Sequence, residues 1–144
     1  MRTKFSKSWK SSKNPRKQRK YVANAPLHIK RKMLASRLSK ELSKKYSRRS
    51  VGIKKGDVVK IVRGNFKNHS GKIDKVLTKK FKVHIEGIQN LKRDGNKAFY
   101  PLHPSNLIIT ELNLEDKKRQ KIFDRTKKNV TTEIKDEQKT PKNN

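Results

Sequence analysis

The segment 56–76 carries the clearest pattern of apolar and polar residues in the chain. Two short apolar sets are separated by a polar loop that runs from Gly64 to Gly71. Two strands joined by a loop produce such a pattern, and a glycine at each end can adopt the positive φ that the turn needs. The residues that predict the two strands are Val58, Val59, Ile61 and Val62, followed by Ile73, Val76 and Leu77.

Further short strands follow this pair. Residues 81–86 alternate strictly between apolar and polar, with Phe81 on the apolar face, which predicts a half-buried strand. A basic turn at 92–96 and a returning strand at 98–100 predict a hairpin, and residues 107–109 a last strand. Five short strands within about 55 residues indicate a small, strongly bent barrel with flanking helices.

Three helices are predicted around the strands. Pro26 fits the first position of a helix over Leu27–Ala35, and apolar residues every fourth position predict a second over Leu38–Tyr46. Asn113 can cap a C-terminal helix within 111–129, with two acids in its first turn. This last helix has few large apolar residues, so we expect it to be mostly solvated or laid against a partner.

Charge points to a polyanionic partner. The chain of 144 residues holds 41 Lys or Arg against 12 Asp or Glu, a formal net charge of +29, while only 30% of it is apolar. Self-repulsion on this scale gives no stability to a small core, so a polyanion is the simplest explanation, although a basic protein without such a partner is the alternative. Residues 1–50 hold 18 basic and one acidic residue, which is more than half of the excess.

The N-terminal arm is the most basic part of the chain. Residues 1–20 contain nine Lys or Arg and no aliphatic residue beyond Met1, so alone they are predicted to be disordered. Trp9 and neighbouring aromatic residues interrupt the charge and suit stacking on RNA bases, although Trp9 could equally pack on the protein itself. The basic cluster at 14–20 also resembles a nuclear localisation signal, a weakly specific pattern. Residues 130–144 are predicted to be a mobile tail.

Several classes of function are disfavoured. Cysteine is absent, which excludes a disulfide framework and thiolate metal sites. No apolar run approaches the ~18 residues of a membrane span and no secretory signal is present, so we expect a cytoplasmic protein. The four histidines have no metal-ligand spacing, the acids are dispersed and no nucleophile or phosphate-loop motif occurs. We therefore predict no enzyme activity, catalytic residue, metal, cofactor or small-molecule substrate.

Several motifs in order resemble known families. The stretch from Ile53 to about Leu77 resembles a KOW motif, which occurs in ribosomal proteins and in transcription elongation factors. Four further segments resemble large-subunit ribosomal protein number twenty-four of archaea, called number twenty-six in eukaryotes, and the match spans roughly residues 14–123. These segments are Asn24–Met33, Leu38–Leu42, Tyr100–Asn106 and Leu112–Arg119.

The ribosomal resemblance implies an SH3-like barrel that binds ribosomal RNA. It implies attachment to the 5′ domain of the large-subunit RNA early in assembly, a place near the nascent-peptide exit, and neighbouring large-subunit proteins as partners. His103, Ser105 and Asn106 match a family motif and either fix a turn or touch RNA. The implied RNA-facing residues are Arg16, Lys17, Arg19, Lys20, His28, Lys30, Arg31 and Lys32 in the arm and first helix, and Arg63, Lys67, His69 and Lys72 around the KOW loop.

Two other functions remain open from the sequence. A KOW-type transcription elongation regulator is the first, although it is expected to carry a separate domain for polymerase. A basic enzyme acting on nucleic acid is the second, and it lacks an acidic or metal-binding constellation. The predicted organisation is a basic disordered RNA-binding arm at 1–24, two short helices at 25–50, the barrel at 51–110, the C-terminal helix at 111–129 and the tail at 130–144.

Overall fold

A computed structural model describes residues 5–6, 8–9 and 11–125 of the chain. The predicted tail at 130–144 lies outside the described residues. Within the described part, no helix combines the length and the apolar character that crossing a membrane requires.

A six-stranded sheet forms the centre of the molecule, with the strand order β2-β1-β8-β3-β4-β5. The last strand among the described residues, β8, lies between β1, to which it is parallel, and β3, to which it is antiparallel. A separate two-stranded hairpin is formed by β6 and β7. The strands are β1 (Ala35–Leu38), β2 (Ser50–Gly52), β3 (Val58–Ile61), β4 (Ser70–Leu77), β5 (Lys82–Ile85), β6 (Gln89–Leu91), β7 (Lys97–Phe99) and β8 (Leu107–Glu111).

Alternation along the central strands places one face of the sheet in the core. In β3, β5 and β8 every second residue is buried, as period-two patterning requires. Leu38 joins this core from β1, so the residue at the start of the predicted second helix belongs to a strand instead. The core residues with no exposed surface are Val59, Ile61, Val83, Ile85 and Ile109.

The architecture agrees with the prediction of a small β-rich domain but not with all its details. Among the described residues eight strands form rather than five, because the short strands β1, β2 and β6 have too few apolar residues to stand out in the sequence. The sheet bends at a bulge between Ile73 and Lys75 in β4. Barrel closure is not found, since no pairing joins the edge strands β2 and β5 among the residues that the structure describes. The SH3-like barrel therefore stays a prediction.

Two of the predicted helices occur with shifted ends. Helix α2 spans Leu27–Met33, and helix α3 spans Lys40–Tyr46. Ser39 caps α3 by accepting a hydrogen bond from the amide of Leu42, which sets the start of this helix after Leu38. The strand β1 between the two helices was not predicted.

A third helix lies in the N-terminal arm. Helix α1 spans Pro15–Asn24, where the sequence indicated disorder for an isolated arm. Asn14 caps it by accepting from the amide of Arg16, and Pro15 occupies its first turn, where a missing N–H costs nothing. The Lys30 ammonium also donates to the carbonyl of Ala23 at 3.1 Å. The cap and this tertiary contact stabilise α1, and neither of them can be recognised from composition alone.

The C-terminal helix covers residues 117–125 and reaches the end of the described chain. Its cap is Asp116, which accepts from the amide of Lys118, rather than the predicted Asn113. As expected for a mostly solvated helix, most of its residues are exposed, but Phe123 is buried and its ring lies 4.4 Å from that of Tyr46 between centroids.

A buried ion pair fixes this helix to the sheet. Arg119 is 2% exposed and Asp57 is fully buried, and the guanidinium donates to both carboxylate oxygens at 2.5 and 2.8 Å. The same guanidinium donates to the carbonyls of Asn113 and Gly52, while the carboxylate accepts from the amides of Asn113 and Lys54. Paired and hydrogen-bonded charges can be buried at an acceptable cost, and here they connect the helix to the start of β3.

The two glycines that bound the KOW loop have different roles. Gly64 has a φ of 93°, as the sequence predicted. Gly71 has no positive φ and lies within β4 opposite Val59, so the prediction about its backbone was wrong. A Cβ at Gly71 would lie 2.7 Å from the carbonyl oxygen of Glu86 and 2.7 Å from the Ile85 side chain. Space, rather than dihedral freedom, demands glycine here.

Candidate nucleic-acid interface

Helix α1 carries four exposed cations. Spacings of three and four residues place Arg16, Lys17, Arg19 and Lys20 along one side of the helix. None of the four takes part in an ion pair with a described residue, and the first turn of the helix holds no acid. The charge of this surface is therefore available to an external anion.

Helix α2 divides its four candidate residues. His28 and Lys32 are exposed. Lys30 contacts the protein itself, since its ammonium lies 5.8 Å from the centroid of the Phe81 ring and donates to Ala23. Arg31 lines a groove beside the sheet. The sequence indicated one basic helix, and the structure directs its cations to different places.

The KOW loop is held firmly and presents its cations outward. Residues 62–69 connect β3 to β4, and the amide of Asn68 donates back to the carbonyl of Ile61 at 2.9 Å. Phe66 packs against the core, with its ring 5.2 Å from that of Tyr100 between centroids. The four predicted residues of this region are all exposed: Arg63, Lys67 and His69 in the loop, and Lys72 on β4.

The predicted residues form two groups rather than one. Strand β4 begins beside the KOW loop and ends at the turn 78–81, and a groove at this turn is lined by residues of α1 and α2. The loop cations and the helix cations therefore lie towards opposite ends of β4. An anion that contacts both groups has to extend along the sheet, which fits a polymer better than a small molecule.

The motif around His103 fixes a turn. The imidazole Nδ1 accepts from the amide of Ser105 at 3.3 Å and lies 2.8 Å from the Ser105 hydroxyl, at the cap of a 3₁₀ turn spanning Pro104–Asn106. Partial burial, and secondarily the charge of Lys82, lower the pKa of His103. The carbonyl of Asn106 accepts from the amide of Val62, which joins this turn to the KOW loop. Of the two roles considered, the observed contacts support turn formation.

Trp9 packs within the protein. Its ring lies 4.4 Å from that of Tyr21, and Phe5 lies 4.8 Å from the same ring, between centroids. Tyr21 belongs to α1, so these contacts hold described residues of the arm against the basic helix. The alternative that Trp9 packs on its own protein is therefore observed in this structure.

A groove of about 830 Å³ borders the sheet and was not predicted. Its lining includes the apolar residues Val51, Ile53 and Val76 and the basic residue Arg31. Asp74, the acid on its wall, lies 3.4 Å from the Lys55 ammonium. The lysines of this groove stand in polar stretches of the sequence, and no local pattern predicts that they lie close together in the fold. The further basic residues that line the groove are Lys54, Lys55, Lys75 and the buried Arg119.

Among the described residues, no three His, Asp or Glu side chains are grouped so as to hold a metal ion. The chemistry that the exposed side chains of this surface offer is contact between cations and phosphates, and the described Phe5, Trp9 and Phe66 rings pack against other rings of the protein. Cation contact with phosphates and ring contact with bases are both used in RNA recognition.

The comparison with known proteins decides between the families that the KOW motif left open. A family model that describes ribosomal protein number twenty-six of eukaryotes and ribosomal protein number twenty-four of archaea matches residues 12–126. The chain belongs to this family. The match includes α1, the whole sheet and the C-terminal helix as far as it is described, so the family resemblance noted in the sequence is confirmed.

Membership of this ribosomal family makes the chain a structural protein of the large ribosomal subunit. Proteins of the family are ribosomal constituents rather than enzymes, and their partners are ribosomal RNA and other ribosomal proteins. RNA binding and a role in translation therefore follow from the family. Which residues touch RNA does not follow from it.

Proposed function

We propose that the chain binds the 5′ domain of the large-subunit ribosomal RNA early in assembly and lies near the nascent-peptide exit, in the cytoplasm. It acts as an architectural protein without catalytic activity. The observation that carries this proposal is the set of four exposed cations on α1, none of them paired with a described acid, which precedes a rigid sheet bearing a second basic loop.

Each group has its own part in this mechanism. The KOW loop is anchored by Phe66 and by backbone hydrogen bonds, so it enters an RNA groove with little loss of entropy. The cations of α1 neutralise phosphates that converge on the arm. Since A-form RNA exposes mainly backbone and 2′-hydroxyl groups, shape and charge determine most of the recognition. The residues proposed to face RNA are Arg16, Lys17, Arg19, Lys20, His28, Lys30, Arg31, Lys32, Arg63, Lys67, His69 and Lys72.

We expect the affinity for a 5′-domain RNA fragment to fall steeply with salt. Each phosphate that the protein neutralises releases condensed counterions and contributes about −0.7 to −0.9 to the log–log slope. With contacts from both basic groups, the total slope is several units. Filter binding or fluorescence anisotropy between 50 and 300 mM KCl measures it, and an affinity independent of salt would contradict the electrostatic mechanism.

Changing the four α1 cations to glutamine is expected to weaken RNA binding by well over tenfold, or more than ~1.4 kcal/mol. Glutamine is a good helix former, so α1 is kept while its charge is removed. The salt slope should fall by about 3, one phosphate for each cation.

The matched control changes four cations elsewhere to glutamine: Lys40, Lys44 and Lys45 of α3 and the nearby Arg49. The net charge then falls by the same amount, but outside the proposed surface. If both variants lose affinity equally, binding depends on overall charge and α1 has no special part.

A further inference from the structure

The turn between β4 and β5 contains an unusual residue. Residues 78–81 connect the two strands, and the amide of Lys80 donates to the carbonyl of Leu77 at 3.1 Å. Phe81 closes the turn with a φ of 54°, so it is not part of the strand in which the sequence placed it. Hairpin loops normally use glycine or asparagine in this left-handed conformation, because a bulky side chain makes it costly. Such strain persists only where the surroundings enforce it.

The ring of Phe81 lies in a groove of about 460 Å³ between this turn and α1. We call this groove the Phe81 pocket. Apolar surface comes from Phe81 and Val22, and Val22 is 37% exposed. Cations come from Arg19, Lys30 and Lys79, and none of the described residues on its walls is acidic.

This composition fits a nucleobase with its phosphates. An unstacked base offers two apolar faces, which suit the Phe81 ring and Val22. Its polar edge could donate to the side-chain oxygen of Gln18, which also lines the pocket and whose amide nitrogen donates to the carbonyl of Ser12 at 2.6 Å. The flanking phosphates would meet Arg19 and Lys79. The Lys30 ammonium already lies 5.8 Å from the ring centroid, which places a cation beside the proposed base.

We propose that the Phe81 pocket binds a single unstacked base of the ribosomal RNA, stacked on the Phe81 ring. The proposal rests on the RNA-binding function proposed above and adds to it a defined nucleotide site. The proposal also explains why the strained turn is kept. The left-handed φ of Phe81 places this residue outside β5, so its ring does not follow the alternation of side chains along that strand.

The direct test uses the full unmodified chain. Its complex with the 5′-domain RNA fragment is irradiated at 254 nm and the nucleotide-bearing peptides are located by mass spectrometry. A nucleotide adduct on Phe81 is expected. The same irradiation of intact large subunits tests the assembled state, where nucleotide adducts on other residues of the chain with none on Phe81 would overturn the proposal.

Affinity measurements give an independent test. Phe81→Leu keeps apolar volume but removes the ring, and is expected to bind the RNA fragment about tenfold more weakly, as loss of one base–aromatic stack predicts. Phe81→Tyr keeps the ring and should bind like the natural chain. Phe81→Asn, which tolerates the left-handed conformation, should also bind weakly while its melting temperature is maintained. The matched control is Phe99→Leu, which removes an exposed ring outside the pocket.

Two results distinguish this proposal from the function on which it rests. Phe81→Leu removes a ring but no charge, so the number of counterions released on RNA binding does not change. Its salt slope should therefore equal that of the natural chain, unlike that of the α1 variant. If the natural chain binds RNA, but Phe81 carries no adduct and Phe81→Leu binds as tightly, the pocket is refuted and RNA binding stands. If the natural chain does not bind the fragment, the proposed function itself fails.

Discussion

Arg119→Met is expected to lower the free energy of unfolding by about 3–5 kcal/mol, the usual cost of removing one partner from a buried ion pair. The variant leaves the fully buried Asp57 carboxylate without its counter-charge, while methionine fills most of the space of the arginine stem. Urea denaturation of the RNA-free chain, followed by circular dichroism, measures the loss. The melting temperature should fall by more than about 10 °C.

Lys54→Met provides the matched control. It breaks the ion pair between Lys54 and Asp116, in which the lysine side chain is 46% exposed and the aspartate side chain 40%. Because both charges are solvated, the free energy of unfolding should fall by less than about 1 kcal/mol. Adding Asp57→Asn to Arg119→Met removes the unpaired charge and should recover part of the loss. If Arg119→Met and Lys54→Met lower the free energy of unfolding by the same amount, the buried Asp57–Arg119 pair contributes no more to stability than the exposed pair.

Gly71→Val is expected to destabilise the protein by about 3 kcal/mol, at the upper end for overpacking. Its Cβ alone would lie 2.7 Å from a backbone carbonyl oxygen, that of Glu86, which cannot move without disturbing the pairing of β4 with β5. Valine has a higher strand propensity than glycine, so propensity alone would make this variant more stable rather than less. The midpoint of urea unfolding measures it.

Gly52→Val is the control for Gly71→Val. Gly52 lies in β2 with no positive φ, and the nearest atom to an added Cβ is 3.8 Å away. This variant should change stability by no more than about 0.5 kcal/mol. If the two variants unfold at the same urea concentration, the close approach to Glu86 does not explain the glycine at position 71.

Alternation of apolar and polar residues predicted the central strands well. Val59, Ile61, Val83 and Ile85 are buried because period-two patterning and strong apolar character agree at these positions. The sequence failed where a local signal was weak or was overridden. Leu38 fitted a helical stripe, yet pairing of β1 with β8 places it in a strand.

The candidate surface was predictable in composition and not in geometry. Exposure of the α1 and KOW-loop cations follows from their charge. Their separation towards opposite ends of β4 depends on contacts between distant segments, which no local pattern contains. The Phe81 turn had one detectable signal, a four-residue connection without glycine, asparagine or aspartate. The Asp57–Arg119 pair had none, because 62 residues separate its partners.

The central place of β8 has a consequence for the order of events during synthesis. This strand is made after the other described strands, yet it lies between β1 and β3, so the sheet cannot be assembled from the N-terminus onward. From the completion of β1 to that of β8, translation at 5–20 residues per second takes roughly 4–15 s. Throughout this interval β1 lacks a neighbour, β3 lacks one from the moment it is made, and the cations of α1 have already been made. An emerging chain is thus positively charged and incompletely paired at once, so the early RNA binding proposed above would also protect it against aggregation.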